Sequence, residues 1–399
     1  MIQLAQRAKL LKPSPILMLA ARAGEMKAEG KDVISLSIGE PDWDTYPNIK
    51  QAAILSINEG KTKYTPSSGI PELRKAIIEQ AAKDLGVNYE MSQVTVSSGA
   101  KFVLFSALQA IVEAGDEVIL AAPFWASYTT MVELAQGVPK IAVCGEDVGF
   151  KLTPAILKAA ITPKTKAILL NSPSNPTGKV YTKEELKGLA EVLRLHPKIA
   201  VISDDIYNRL SFESKLAPHL LHVAPDLKDR VIVLNGASKS YSMTGWRLGW
   251  ALGPKEVINA MSAYQSQSVS CASATSQYAA LEAIKNSDGD VTKTVEHLKQ
   301  RRDFLIGELE KIPGIRVAIP EGAFYLWISV DKYMGKSHKG KPMHGSAELS
   351  LSLLEDGLVA AVPGVEFGLE GYFRLCYTLE NDKGKEAVER MKKFFTSLT

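Results

Sequence analysis

The feature that most constrains this chain is the recurrence of short, almost wholly apolar runs between amphipathic stretches of helical period. Residues 94–96, 117–120, 140–143, 166–170, 200–203, 231–234 and 248–252 read as strands. Each is short and apolar, as strands buried on both faces of a parallel sheet are. Helical segments separate several of them. One over 71–85 opens with Pro71, one over 100–113 stops before Gly115-Asp116, and one over 182–195 starts at Thr182 with Glu185 three residues on. These are helix-start signals. Strands separated by helices predict an α/β fold in three layers, a mostly parallel sheet with helices on both faces.

After about residue 285 the pattern becomes α+β. A long charged helix over 291–311 precedes apolar runs at 315–319 and 323–328. A Gly-, Lys- and His-containing stretch, another helix, a strand ending near Tyr377 and a last helix over 383–398 follow. We read 46–290 as a large domain, 291–399 as a small C-terminal domain, and 1–45 as a segment packing on the small one. The polar stretch 335–344 is expected to be a mobile surface loop.

Composition narrows the function. A chain of 399 residues, 46% hydrophobic and 23% charged, suits a globular protein with a packed core. Its 47 basic and 44 acidic residues are scattered, which argues against a nucleic-acid-binding face. The run around 118–126 is broken by Pro123 and falls short of the roughly 20 residues a membrane span needs. The apolar stretch 16–21 is too short for a secretory signal. Cys144, Cys271 and Cys376 form no CxxC pair, so a disulfide framework is not expected and the cytosol is the expected compartment. His196, His219, His222, His297, His338 and His344 show no metal-ligand spacing, and no metal is expected.

Four segments that follow apolar strands carry chemistry. Ser238-Lys239 and Arg247 follow the run 231–234, where a lysine enters the crevice in which open α/β sheets bind ligands. Partly desolvated there, its amine can lose a proton and attack a carbonyl to form a Schiff base. Asp204 and Tyr207 close the run 200–203, so a carboxylate and a phenol can face one ligand ring. Such a carboxylate could keep a pyridinium protonated; alternatively, Asp204-Asp205 caps a turn. Asn175 lies in the loop 171–178, fixed by two prolines and a glycine, and offers an amide to a ring oxygen. Ser97-Ser98-Gly99-Ala100-Lys101 leads into a helix N-terminus, which presents N–H groups to an anion such as phosphate, though it is also ordinary capping. Arg247 and Ser238 can complete a phosphate clamp.

With these residues the chain resembles fold-type I pyridoxal-phosphate-dependent aminotransferases of class I/II, in their bacterial aspartate (aspartate/prephenate) branch. The resemblance runs from about Lys12 to the C-terminus. It rests on Lys12-Pro13-Ser14, Gly39-Glu40-Pro41-Asp42, Lys63-Tyr64-Thr65-Pro66, Asn175-Pro176-Thr177-Gly178, Ser238-Lys239 with Thr244-Gly245-Trp246-Arg247, and Tyr372-Phe373-Arg374-Leu375.

The resemblance implies pyridoxal 5'-phosphate as cofactor, with Lys239 forming the Schiff base and shuttling the proton in a ping-pong transfer from an L-amino acid, aspartate foremost, to 2-oxoglutarate. Asp204 is implied to pair with the pyridine nitrogen, Tyr207 and Asn175 to bond the ring oxygen, and Trp125 to stack on the ring. Gly99, Ala100, Lys101, Ser238 and Arg247 fall where the family binds phosphate. Tyr64 falls where it reaches the phosphate of the neighbouring subunit, which implies a homodimer with sites at the interface. Arg374 is implied to grip the substrate α-carboxylate, helped by Asn175, Trp125 and Gly39, and to close the small domain on substrate.

Two departures leave the side-chain specificity open. The segment 264–280 lacks the arginine that binds a distal carboxylate in animal-type relatives, and Lys101 serves either that carboxylate or the phosphate alone. The phosphate loop reads Ser-Gly-Ala-Lys where many relatives have Gly-Gly-Lys-Gln. Aromatic or neutral amino acids and prephenate are therefore alternative substrates, although Arg7 lies five residues from Lys12-Pro13-Ser14 rather than close before it. A ligand-sensing regulator would need a DNA-binding module for which the length leaves no room. A nicotinamide-dependent dehydrogenase would need a GxGxxG turn, and none is present.

Overall fold

In the computed structural model of the chain, residues 2–9, 11 and 15–399 are described. The motif Lys12-Pro13-Ser14 lies outside them, as does the Arg7 side chain. After a short strand β1 (Ile34–Ser35) come the seven strands of one sheet. They are β2 (Val94–Ser97), β3 (Glu117–Ala122), β4 (Val138–Val143), β5 (Thr165–Asn171), β6 (Ala200–Asp204), β7 (Val231–Gly236) and β8 (Gly249–Leu252). Their order is β2-β8-β7-β6-β5-β3-β4. The sheet is parallel except for β8, which runs antiparallel to both β7 and β2, so β2 and β7 point the same way. Each expected strand is present, most of them one or two residues longer than the apolar run alone.

The apolar runs are continuous because both sheet faces are covered. Val118, Leu120, Ala167, Leu169, Ile202 and Leu234 pack into one cluster, while the residues between them, Ile119, Ile168, Leu170, Val201 and Val233, pack into another. Each fully buried aliphatic side chain contributes about 1.5–3 kcal/mol. The helix Pro71–Leu85 starts on its proline and ends on Gly86 in the left-handed region. Thr182 caps the helix Lys183–Arg194 in a full capping box with Glu185.

Beyond the helix Asp288–Leu309 come β9 (Arg316–Ala318), β10 (Tyr325–Ser329), β11 (Ser337–His338), β12 (Lys341–Pro342), β13 (Val359–Ala360), β14 (Val362–Pro363) and β15 (Tyr372–Cys376). An antiparallel sheet has the order β14-β15-β10-β9. β1 pairs in parallel with β13, and Ala23 and Met26 pack against Leu354 and Ala360. The segment after β6 (Ile206, Tyr207, Leu210, Phe212) packs into the same cluster as Phe324, Tyr325 and Phe373 of the small sheet. That contact walls one side of the cleft between the two sheets.

The stretch expected to be a mobile loop is a hairpin instead. Lys339 and Gly340, both at positive φ, form the two-residue turn between β11 and β12. Such a turn matches the twist of paired strands. The hairpin is tied down where Ser337 and Thr399 exchange backbone hydrogen bonds, and where Asp356 lies 2.8 Å from Nε2 of His338.

The capping box yields a stability prediction. Thr182 Oγ1 accepts from the Glu185 N–H at 3.1 Å, and the Glu185 carboxylate accepts from the Thr182 N–H at 2.8 Å. Thr182→Ala should lower unfolding free energy by about 1 kcal/mol in urea titration, with an unchanged m-value.

Candidate active site

The site lies at the carboxyl edge of the large sheet, where open α/β sheets place ligands. Asn171 at the end of β5 is level with Asp204 at the end of β6, and Asp204 with Leu234 of β7. The loops leaving these three strands carry Asn175, Tyr207 and Lys239 respectively. Trp125 follows β3, and Ala100 and Lys101 follow β2. Arg374, in the middle of β15, reaches in from the small sheet. Together they line a cavity of about 270 Å³.

Lys239 is half-buried, and its Nζ donates to the Gly39 carbonyl at 2.6 Å. Gly39 has to be a glycine, because a Cβ there would stand 2.3 Å from the Tyr325 hydroxyl. Burial pulls the Lys239 amine from its ordinary 10.5 down to about 8; Arg374 and Arg247 add to that shift, while Cys376 and Glu40 oppose it. Near neutral pH the nucleophilic free amine is thereby enriched on the order of a hundredfold.

Asp204 is only 6% exposed. Burial pushes its carboxyl above the ordinary range, opposed first by the hydrogen bond from Tyr128, then by the Ile206 N–H and by Lys239. Tyr128 Oη donates to Oδ2 at 2.7 Å and the Ile206 N–H to Oδ1 at 3.3 Å. Tyr207 is buried with its hydroxyl 2.7 Å from that of Tyr325, and burial drives the phenol well above its usual value. Asn175 turns its side-chain oxygen to Arg374, accepting from Nη1 at 3.2 Å.

The two arginines differ in setting. Arg374 is 3% exposed, its Nη2 donates to the Ser37 carbonyl, and its guanidinium lies 4.7 Å from the Tyr325 ring centre and 5.1 Å from that of Phe367. Its Nε is buried without a hydrogen-bond partner among the described residues. Arg247 is exposed at the rim, with φ of +52° and Nη1 donating to the Thr244 carbonyl at 2.9 Å. Its guanidinium lies so close to Gly99, itself at φ +87°, that a Cβ there would sit 2.7 Å from Nη2. Ser238 is buried beside it in the lining. Lys101 lies 4.9 Å from the Trp125 ring centre, and burial, then Arg247, lowers its amine's pKa.

Of the residues singled out in the sequence, Lys239, Asp204, Tyr207, Asn175, Arg374, Arg247, Ser238, Trp125, Lys101, Ala100 and Gly39 line this one cleft. Gly99 lies at its edge against Arg247. Tyr64 does not line it and is 90% exposed. Sequence reasoning missed Tyr128, Tyr325 and Asn171, which orient Asp204, Tyr207 and Asn175. Tyr128 stands three residues after Trp125, a helical spacing that placed it within reach. Nothing local in the sequence distinguishes Tyr325.

A lysine of depressed pKa, a buried carboxylate and two arginines lining one cleft suit an enzyme that moves amino groups. The aminotransferase class I and II family matches residues 31–391, and the chain belongs to it. It is similar to the aspartate/prephenate aminotransferase of Cereibacter sphaeroides, 44% identical over 98% of both chains. The aspartate aminotransferase structure from Rhizobium meliloti superposes with a TM-score of 0.96 at 42% identity, covering 100% of each chain. That of Thermus thermophilus aspartate aminotransferase with maleate gives 0.92 at 38% identity, covering 99% of this chain and 100% of the other.

The shifted lysine predicts a pH profile. Its folded-state value of about 8 lies below the ordinary 10.5, so the free amine appears as pH rises through about 8. Modification of Lys239 in the cofactor-free protein by a small aldehyde with cyanoborohydride, read by peptide mass spectrometry, should have its midpoint near pH 8; a midpoint above 10 contradicts the assignment. Because the unfolded chain binds this proton up to the higher value, the group also adds stability as pH rises from about 8 towards 10.5.

Proposed function

We propose that the protein is a homodimeric, cytoplasmic aminotransferase that uses pyridoxal 5'-phosphate to move an amino group from aspartate to 2-oxoglutarate. The observation that carries this reading is the pairing, in one cleft, of the depressed Lys239 amine with the buried Asp204 carboxylate. The residues fit a flat, anionic, carbonyl-bearing ring. Asp204 would hold its nitrogen, Tyr207 and Asn175 its ring oxygen, and Trp125 a face. Gly99, Ala100, Lys101, Ser238 and Arg247 would hold its phosphate. Bound there, the cofactor supplies an aldehyde carbon and an electron-withdrawing ring that accepts negative charge from a substrate Cα.

The chain's own residues do the rest. Lys239 would supply the amine that holds the aldehyde carbon and, once the substrate's own amine has displaced it there, its freed Nζ would take the proton from Cα and return it. Arg374 binds the α-carboxylate in its planar fork, and the buried Nε gains an acceptor; Asn175 fixes the plane of that fork. Because Arg374 belongs to the small sheet and Lys239 to the large one, a bound carboxylate bridges them and draws the cleft shut against water. Lys101, at the mouth beside Trp125, meets the distal carboxylate of an acidic substrate. Tyr64, exposed and outside its own cleft, supports a site completed by a second copy, and three free cysteines suit a reducing compartment. The name of the Cereibacter relative favours prephenate as a second acceptor.

Half-reaction kinetics test the reading. With cofactor-loaded protein, aspartate should change the cofactor absorbance faster than phenylalanine or alanine. Arg374→Ala should reduce kcat/KM at least about 100-fold for every amino acid, since it removes a charge-assisted bidentate contact. Lys101→Ala should slow aspartate more than alanine, since only aspartate has a distal carboxylate to lose a partner. Aspartate no faster than phenylalanine or alanine overturns the acidic substrate.

A further inference from the structure

The geometry points to Tyr128 as a positioning residue that orients the Asp204 carboxylate and keeps it ionised toward the cofactor's ring nitrogen. The inference rests on the cofactor reading above. Asp204 is buried, so its charge survives only with donors on its oxygens. Among the described residues it has two. The backbone N–H of Ile206 reaches Oδ1 at 3.3 Å, and the phenol of Tyr128 reaches Oδ2 at 2.7 Å, the shorter and charge-assisted bond. One donor on each oxygen fixes the plane of the carboxylate.

The surroundings leave this task to Tyr128. The hydroxyl of Tyr207 is engaged by Tyr325. Asp205, the neighbouring acid, is turned to Ser203 at 2.6 Å and lies 3.4 Å from His219. Lys239 acts on Asp204 through its charge, with its Nζ on the Gly39 carbonyl. Tyr128 itself is 1% exposed and sits edge-on to Trp125, ring centres 5.4 Å apart, on the first turn of the helix Ser127–Leu134. Packing therefore locks its rotamer. Burial and the adjacent Asp204 keep its phenol protonated, so it remains a donor throughout the working pH range. The segment that presents an aromatic ring to the cleft thus also sets the charge at the cleft floor.

The test is the pH dependence of pyridoxal 5'-phosphate affinity, measured by equilibrium dialysis on wild type, Tyr128→Phe, Asp204→Asn and the double variant, with circular dichroism confirming the fold. Tyr181→Phe is the control, a buried phenol that accepts from the Leu152 N–H at 2.9 Å. Tyr128→Phe should weaken affinity about tenfold, the worth of one charge-assisted hydrogen bond, and move the acid-side fall in affinity to higher pH. In the Asp204→Asn background the same change should matter less than twofold, because the two residues act as a unit. Tyr181→Phe should bind as wild type does. A folded Tyr128→Phe protein with wild-type affinity and pH profile, or additive losses in the double variant, overturns the role of Tyr128 alone. Wild type that binds no cofactor overturns the cofactor reading and this inference with it.

Discussion

The parallel register of β5, β6 and β7 is the constraint on which the site depends. Parallel strands buried on both faces are held in register by packing above and below, and a one-residue slip would exchange the two apolar sets. Asn171, Asp204 and Leu234 consequently lie on one line across the sheet, and the loops that follow open into one crevice. Residues from three separate parts of the chain meet there through the backbone ladder, before any side chain contributes.

Burial then sets the chemistry. The same desolvation raises the Asp204 carboxyl and depresses the Lys239 amine, so each tends toward its neutral form. For the lysine that is useful, since the free amine is the nucleophile. For the aspartate it is opposed, by the hydrogen bond from Tyr128 first, which favours the charged carboxylate. The arginines divide along the same lines. Arg247 stands exposed at the rim, whereas Arg374 is buried and its Nε has no partner among the described residues. An orphaned donor of that kind costs about 1–3 kcal/mol, which an incoming acceptor would recover.

Most of the fold was legible because its signals are local. Apolar runs marked all seven strands of the large sheet, and Thr182 with Glu185 marked a helix start to the residue. The stretch 335–344 has the polar, glycine-rich composition that mobile loops and hairpins share, and only the pair Lys339-Gly340, a two-residue turn, tells them apart. Lys239, Asp204, Tyr207 and Asn175 were legible because each lies at or just after the end of an apolar strand, whereas Arg374, inside β15, was legible only through the family motif around it. Tyr128 and Tyr325 were not, because their importance lies in hydroxyl contacts across 76 and 118 residues of sequence. Such contacts exist only once the sheets have packed.

The central claim, that Lys239 is the amine joined to the cofactor opposite a charged Asp204, is tested most directly by borohydride reduction of the loaded protein followed by peptide mass spectrometry. A phosphopyridoxyl adduct confined to Lys239, and lost in Lys239→Ala, is the predicted result. An adduct on another lysine, or none in protein shown to hold the cofactor, would contradict it.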